Sequence, residues 1–255
     1  MEGIVEYALL TGVGLIAGFV NVIAGGGSFL TLPTLIFTGL PATLANGTNR
    51  VGLIFQNFFA VLRFRKLKVF PLKFAILVTI PAVFGSILGA HWALQVSDVL
   101  FKNILAFFMV AITLISLYLK PTERLKKKPH VENDNIPTKK WALIIISFFL
   151  IGIYGGFVQA GVGFLILSAL SLSGYDLIRS NAIKVFVVLI FTIIAFSMFL
   201  MKGQVDFPKG LALAAGMIVG GQLGAVIQVK KGNKFIRNFV TVAIIFFAIK
   251  LLIGK

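Results

Sequence analysis

The sequence predicts an all-α, polytopic integral membrane protein made of two inverted-topology repeats, and three observations carry that reading. The first is composition: 58% of the 255 residues are hydrophobic and 13% charged, whereas soluble domains run near half apolar and a quarter charged. The second is the set of runs almost free of charge. Ile4–Ala24, Val69–Ala90, Trp141–Gln159 and Leu213–Val229 are each long enough to cross a bilayer. The third is internal repetition. A shift of 135 positions lays Asn46 on Asn181, "GSILGA" (Gly85–Ala90) on "GGQLGA" (Gly220–Ala225), and "FKN" (Phe101–Asn103) on "IRN" (Ile236–Asn238). With small gaps, Gly18–Asn21 falls on Gly156–Gln159 and Phe70–Pro71 on Phe207–Pro208.

The elements follow in order. Met1–Gly27 lacks a basic leader, carries Glu2 and Glu6 and runs into more apolar sequence, so Ile4–Ile23 reads as a first membrane helix and not as a secretory signal. It meets a glycine break at Gly25, Gly26 and Gly27. The apolar piece behind the break, Phe29–Phe37, is too short for a span: nine residues make roughly 14 Å of helix. Three longer spans follow, Ala42–Phe64, Val69–Leu94 and Val99–Leu119. Residues 121–140 are polar, basic and carry Pro121, Pro129 and Pro137, which reads as a linker between repeat 1 (1–120) and repeat 2 (141–255). The second copy repeats the plan: helix Trp141–Gln159, a break at Gly161 and Gly163, a short piece Phe164–Leu172, then spans Asp176–Met201, Phe207–Val229 and Asn233–Ile253.

The formal charge of +16 is confined to segments between spans: Arg63, Arg65, Lys66 and Lys68; Lys120–Lys140; and Lys230, Lys231, Lys234 and Arg237. Such clusters mark cytoplasmic loops that touch anionic lipid head groups, and nothing resembles a nucleic-acid-reading motif. By parity the N-terminus is periplasmic and the linker cytoplasmic, so the two copies have opposite orientation. Inverted repeats with broken helices are the architecture of secondary transporters, whose site lies near mid-membrane where the breaks meet.

Arg50 and Lys184 are the candidate site's charges. Each lies eight residues past the start of an equivalent span, roughly 12 Å into a hydrocarbon core of about 30 Å. Charges at that depth are costly and line functional cavities, and no acidic residue sits comparably deep, so an anion is the expected partner. Asn46, Asn49, Arg50 and Asn57 form one polar helix stripe, which Asn181 and Lys184 repeat in part. Asn21 and Gln159 precede the breaks, and Ser28 opens a half-helix, whose free N–H groups and positive dipole end suit an oxyanion. Snorkelling for Lys184 and inter-helix amide bonding for the asparagines stand as the structural alternatives.

At these residues the chain resembles the TauE/SafE family of sulfite and organosulfonate exporters. "GLIAGFVNVIAGGGSFLTLPTL" with "ANGTNRVGLIFQN" is similar to the first-half signature, and "GGFVQAGVGFLILSAL" with "SNAIKVF" to the second. The chain departs from a common Thr–Ser pair at Thr48–Asn49 and Ile183–Lys184. The resemblance implies a multi-pass carrier of the bacterial inner membrane, exporting small sulfur-containing oxyanions such as sulfite or sulfoacetate by alternating access. A carrier or channel for another small anion uses the same positive pore and stays open, as does self-association. An enzyme has little to work with: there is no cysteine, and the two histidines are His91, at a span end, and His130, in the linker. No cofactor or metal is expected.

Overall fold

The computed structural model describes residues 2–119, 138–170 and 173–230. Residues 121–137 of the expected linker (121–140) and the last span (Asn233–Ile253) lie outside the described residues, and Thr138–Lys140 belong to the helix that follows. Among those described, every regular element is an α-helix: α1 (Glu2–Ala24), α2 (Ser28–Phe37), α3 (Ala42–Lys66), α4 (Leu72–Ala93), α5 (Asp98–Leu119), α6 (Thr138–Phe157), α7 (Val162–Leu170), α8 (Leu177–Met201) and α9 (Phe207–Lys230). The two short helices behind the glycine breaks are present, beginning at Ser28 and Val162, one and two residues ahead of the expected starts.

Local chemistry sets the boundaries. Pro41 and Pro71 precede α3 and α4, where a fixed φ suits a helix start and a missing N–H costs nothing. Asp176 caps α8 by accepting from the Arg179 N–H at 2.9 Å. The chain leaves α3 through Lys68 and α8 through Gly203, both left-handed at φ 57° and 66°. These two positions are again 135 apart.

The molecule exposes a largely apolar helix surface and buries a polar cluster within its hydrophobic core. Leu77, Ile80 and Phe84 of α4 and Leu143, Ile146 and Leu150 of α6 are exposed, whereas Asn46, Asn49, Arg50, Asn181 and Lys184 are buried. A surface of that kind suits lipid. Helices α1, α4, α6, α8 and α9 each contain a stretch long and apolar enough to cross a membrane, and the protein is an integral membrane protein. Helix α3 falls short on composition because it carries the polar stripe, yet its 25 residues match α8 in length.

Helix pairing is reciprocal between the halves. The closest pairs are α1 with α9 and α4 with α6, each joining a first helix to the other half's fourth. Small residues permit both approaches. A Cβ at Gly216 would strike the Thr11 carbonyl, and one at Gly220 the Leu15 carbonyl. One at Gly85 would strike the Phe149 carbonyl, and one at Gly89 the Ile153 carbonyl. The "GSILG" and "GMIVGGQLG" stretches are thus packing faces. Contacts step in the same direction along both partners, so α1 runs parallel to α9 and α4 parallel to α6. The Glu6–Lys209 ion pair, at 2.5 Å, joins the first turns of α1 and α9.

Candidate functional site

Each break needs backbone that ordinary residues avoid. Helix α1 ends at Gly25, whose φ of 86° is the left-handed conformation glycine adopts without a Cβ penalty. Its N–H returns to the Asn21 carbonyl at 2.9 Å. Helix α6 ends similarly, but the left-handed residues are Gln159, at 65°, and Gly161, at 73°. A non-glycine residue there is uncommon and concentrates at functional sites. Gln159 is held by its amide, which donates to Thr192 Oγ1 at 2.5 Å. The Tyr154 hydroxyl donates across the same break to the Ala160 carbonyl.

The two breaks meet. A Cβ at Gly25 would strike the Gly163 backbone, and one at Gly163 would strike Gly25. Phe29 and Phe164, from the starts of the two half-helices, stack with ring centres 6.5 Å apart.

Around this contact the two halves serve one another's freed carbonyls. The last carbonyls of a helix have no intrahelical donor and form its negative dipole end. Lys184 of α8 donates to the Asn21 and Val22 carbonyls at the end of α1, at 2.9 and 2.8 Å, and to Asn181 Oδ1 at 2.5 Å. Arg50 of α3 donates to the Gly155 and Gly156 carbonyls at the end of α6, at 3.3 and 2.5 Å. Asn46 adds a bond to the Phe157 carbonyl at 2.7 Å. The guanidinium also lies over the Phe199 ring, 4.7 Å from its centre, a cation–π contact. Both cations, for which the sequence offered no acidic partner, thus have backbone-carbonyl partners inside the protein. A chain break frees backbone oxygens that the side-chain pattern does not display.

An Arg fork at two carbonyls is not replaceable by a point charge. Arg50→Lys should lower the melting temperature of the detergent-solubilised protein while leaving it inserted; an unchanged melting curve would count against this bracing role.

Between the breaks lies a narrow, partly open crevice of about 10 Å³, bounded by Asn21, Ser28, Leu53, Asn57, Gln159, Val162, Gly163, Lys184 and Val188, with room for roughly one water molecule. The starts of both half-helices, Ser28 and Val162–Gly163, open onto it beside the Lys184 ammonium. Of the lining side chains only Lys184 carries charge. The cavity thus gathers Asn21, Ser28, Asn57, Gln159, Gly163 and Lys184. Arg50, Asn46, Asn49 and Asn181 stand outside its wall, as do Gly25, Gly26, Gly27 and Gly161. Asn49 accepts from Thr31 Oγ1 at 2.6 Å, and Asn57 donates to the Leu53 carbonyl of its own helix at 2.8 Å.

Two residues escaped the sequence reading. Gln56 accepts from the Asn21 amide at 3.1 Å, and Thr192 holds Gln159, so each ties a break to the long helix of its own half. Gln56 lies seven residues past Asn49, on the same face. Thr192 lies eleven past Asn181, as Asn57 does past Asn46. Both spacings were legible.

Buried polar atoms without a partner cluster here too: Asn46 Oδ1, Asn49 Nδ2, Arg50 Nε, Gln56 Nε2 and Gln159 Oε1. Such atoms are expensive in a packed interior and concentrate at sites that bind or move. No group of three or more metal-ligating residues occurs among the described residues.

Comparison with known proteins agrees with this build. Residues 10–251 match the family model described as sulfite exporter TauE/SafE. The chain belongs to the TauE/SafE family. It is 31% identical to a probable membrane transporter protein of Haemophilus influenzae over 94% of this chain and 92% of that one. It is 30% identical to a probable membrane transporter protein of Sinorhizobium sp, over 93% and 88%. It is 26% identical to the probable membrane transporter protein YfcA of Escherichia coli K12, over 94% and 87%. The protein is accordingly a TauE/SafE-family membrane transporter.

Proposed function

We propose that this TauE/SafE transporter exports small sulfur-containing oxyanions, sulfite or sulfoacetate among them, across the bacterial inner membrane by alternating access between two inverted halves. The cavity between the breaks carries the reading: a buried ammonium, the starts of two half-helices and three carboxamide side chains converge there with no acid in the lining. Helix N-termini attract anions through free N–H groups and the dipole. In this reading Lys184 is the anion's charged ligand, Asn21, Asn57, Gln159 and Ser28 orient its oxygens, and Arg50, Asn46, Asn49 and Asn181 brace the surrounding helices. The parallel runs of α1 with α9 and of α4 with α6, with short turns joining α3 to α4 and α8 to α9, support opposite orientation of the halves.

Two experiments test it. Purified protein screened by thermal shift against sulfite, sulfate, sulfoacetate, taurine and small carboxylates should be stabilised most by sulfite or sulfoacetate; stabilisation by carboxylates alone would reassign the substrate. For topology, cysteines introduced by Glu2→Cys and Lys202→Cys should label from the periplasm, and those from Lys127→Cys and Lys231→Cys only from the cytoplasm. Parallel labelling of the halves would overturn the inverted arrangement.

A further inference from the structure

The deepest charge in the cavity is satisfied by the protein's own oxygens, and this bears on the mode of transport. An ammonium has three protons to donate. Lys184 places one each on the Asn21 carbonyl, the Val22 carbonyl and Asn181 Oδ1. Arg50 places two of its five protons on the Gly155 and Gly156 carbonyls, while its Nε has no partner. Burying an uncompensated charge is prohibitive, whereas a buried charge whose hydrogen bonds are met is tolerated. A carrier with a bare charged site is therefore held open until cargo neutralises it, and it can only exchange one anion for another. Here the carbonyl ends of α1 and α6 take the anion's place at the cations, and Lys184 needs no anion to be enclosed.

Resting on the reading that Lys184 is the anion's ligand, we propose that this transporter closes and reorients without cargo, and so performs net uniport of the anion, not obligatory exchange. An arriving oxyanion offers oxygens to the same three protons, so the ammonium trades carbonyls for cargo with its number of bonds preserved.

The test uses the full chain in liposomes loaded with radiolabelled sulfite, the membrane potential clamped by potassium and valinomycin. Efflux is measured into sulfite-free medium and into medium holding unlabelled sulfite. The expected result is two rates within about twofold of one another, since neither leg of the cycle requires cargo. Efflux that is about tenfold or more faster with external sulfite overturns net uniport and leaves the transport reading standing. Flux in neither arm, with labelled sulfoacetate behaving alike, overturns both. Asn181→Leu removes one of the three acceptors, so the ratio of net efflux to exchange should fall by about fivefold, the change in equilibrium expected from one lost hydrogen bond. An unchanged ratio in the inserted variant would show that these acceptors do not stand in for cargo. Where that variant does not insert, the two-arm comparison on the parent decides.

Discussion

Lys184→Met should abolish sulfite- or sulfoacetate-dependent stabilisation, weakening binding by more than tenfold. Methionine matches the length of the lysine stem but supplies no proton donor and no charge. Truncating one partner of a buried, hydrogen-bonded charge costs about 2–5 kcal/mol, and each 1.4 kcal/mol is about one decade of affinity. The variant also strands the Val22 carbonyl and removes the Asn21 carbonyl's second donor, so size-exclusion behaviour must be followed alongside binding. Lys66→Ala is the control: Lys66 is exposed in the last turn of α3 and should leave binding unchanged. A folded Lys184→Met protein that binds like the parent would place the anion elsewhere. Arg50→Met provides a contrast, because Arg50 braces the end of α6 from outside the cavity wall: its loss should show first in thermal stability and second in affinity.

That division of labour was only half legible in the sequence. The positions of Arg50 and Lys184 in equivalent spans, the absence of deep acids and the glycine breaks were all visible, because side-chain charge and periodicity are written in the residues. The partners of the two cations were not. They are backbone carbonyls, which every residue carries, and they become available only where a helix stops inside the membrane. Sequence reasoning assigned the two cations an anion as partner because it counted side chains alone. The structure puts Lys184 on the cavity wall and Arg50 behind it.

The gross architecture was clearer. The starts of α3 and α8, the short lengths of α2 and α7 and the small-residue faces of α4 and α9 all followed from hydropathy, proline placement and glycine spacing. The reciprocal pairing of α1 with α9 and α4 with α6 did not, since a small-residue face says that a helix packs closely but not against which partner. The choice is made by two faces of matching relief: Gly14 and Gly18 lie against Leu213 and Met217, and Gly152 and Gly156 against Ala82 and Ser86.

The point where the breaks meet should be the least tolerant in the fold. Gly25→Ala combines two penalties. At φ 86° an L side chain is in the left-handed region, which costs roughly 1–2 kcal/mol. Its Cβ would also lie 2.5 Å from Gly163 Cα. That atom is backbone inside a packed half-helix junction and cannot swing aside, so overpacking adds about 1–3 kcal/mol. A combined loss of about 2–5 kcal/mol approaches the whole stability of a typical domain. The expected outcome is a protein that inserts but does not survive detergent extraction as a monodisperse species. Two further substitutions separate the causes. Gly39→Ala has the same backbone strain, at φ 91°, with nothing within 4 Å of the new Cβ, so it should show the strain penalty alone. Gly12→Ala, in the interior of α1 with open space around it, carries neither penalty and gains up to about 1 kcal/mol of helix propensity. The melting temperatures should therefore rank Gly12→Ala at or above the parent, Gly39→Ala below it and Gly25→Ala lowest. If Gly25→Ala melts with Gly39→Ala, the two breaks do not press on one another in the membrane, and a cavity closed by their contact could not be the transport site.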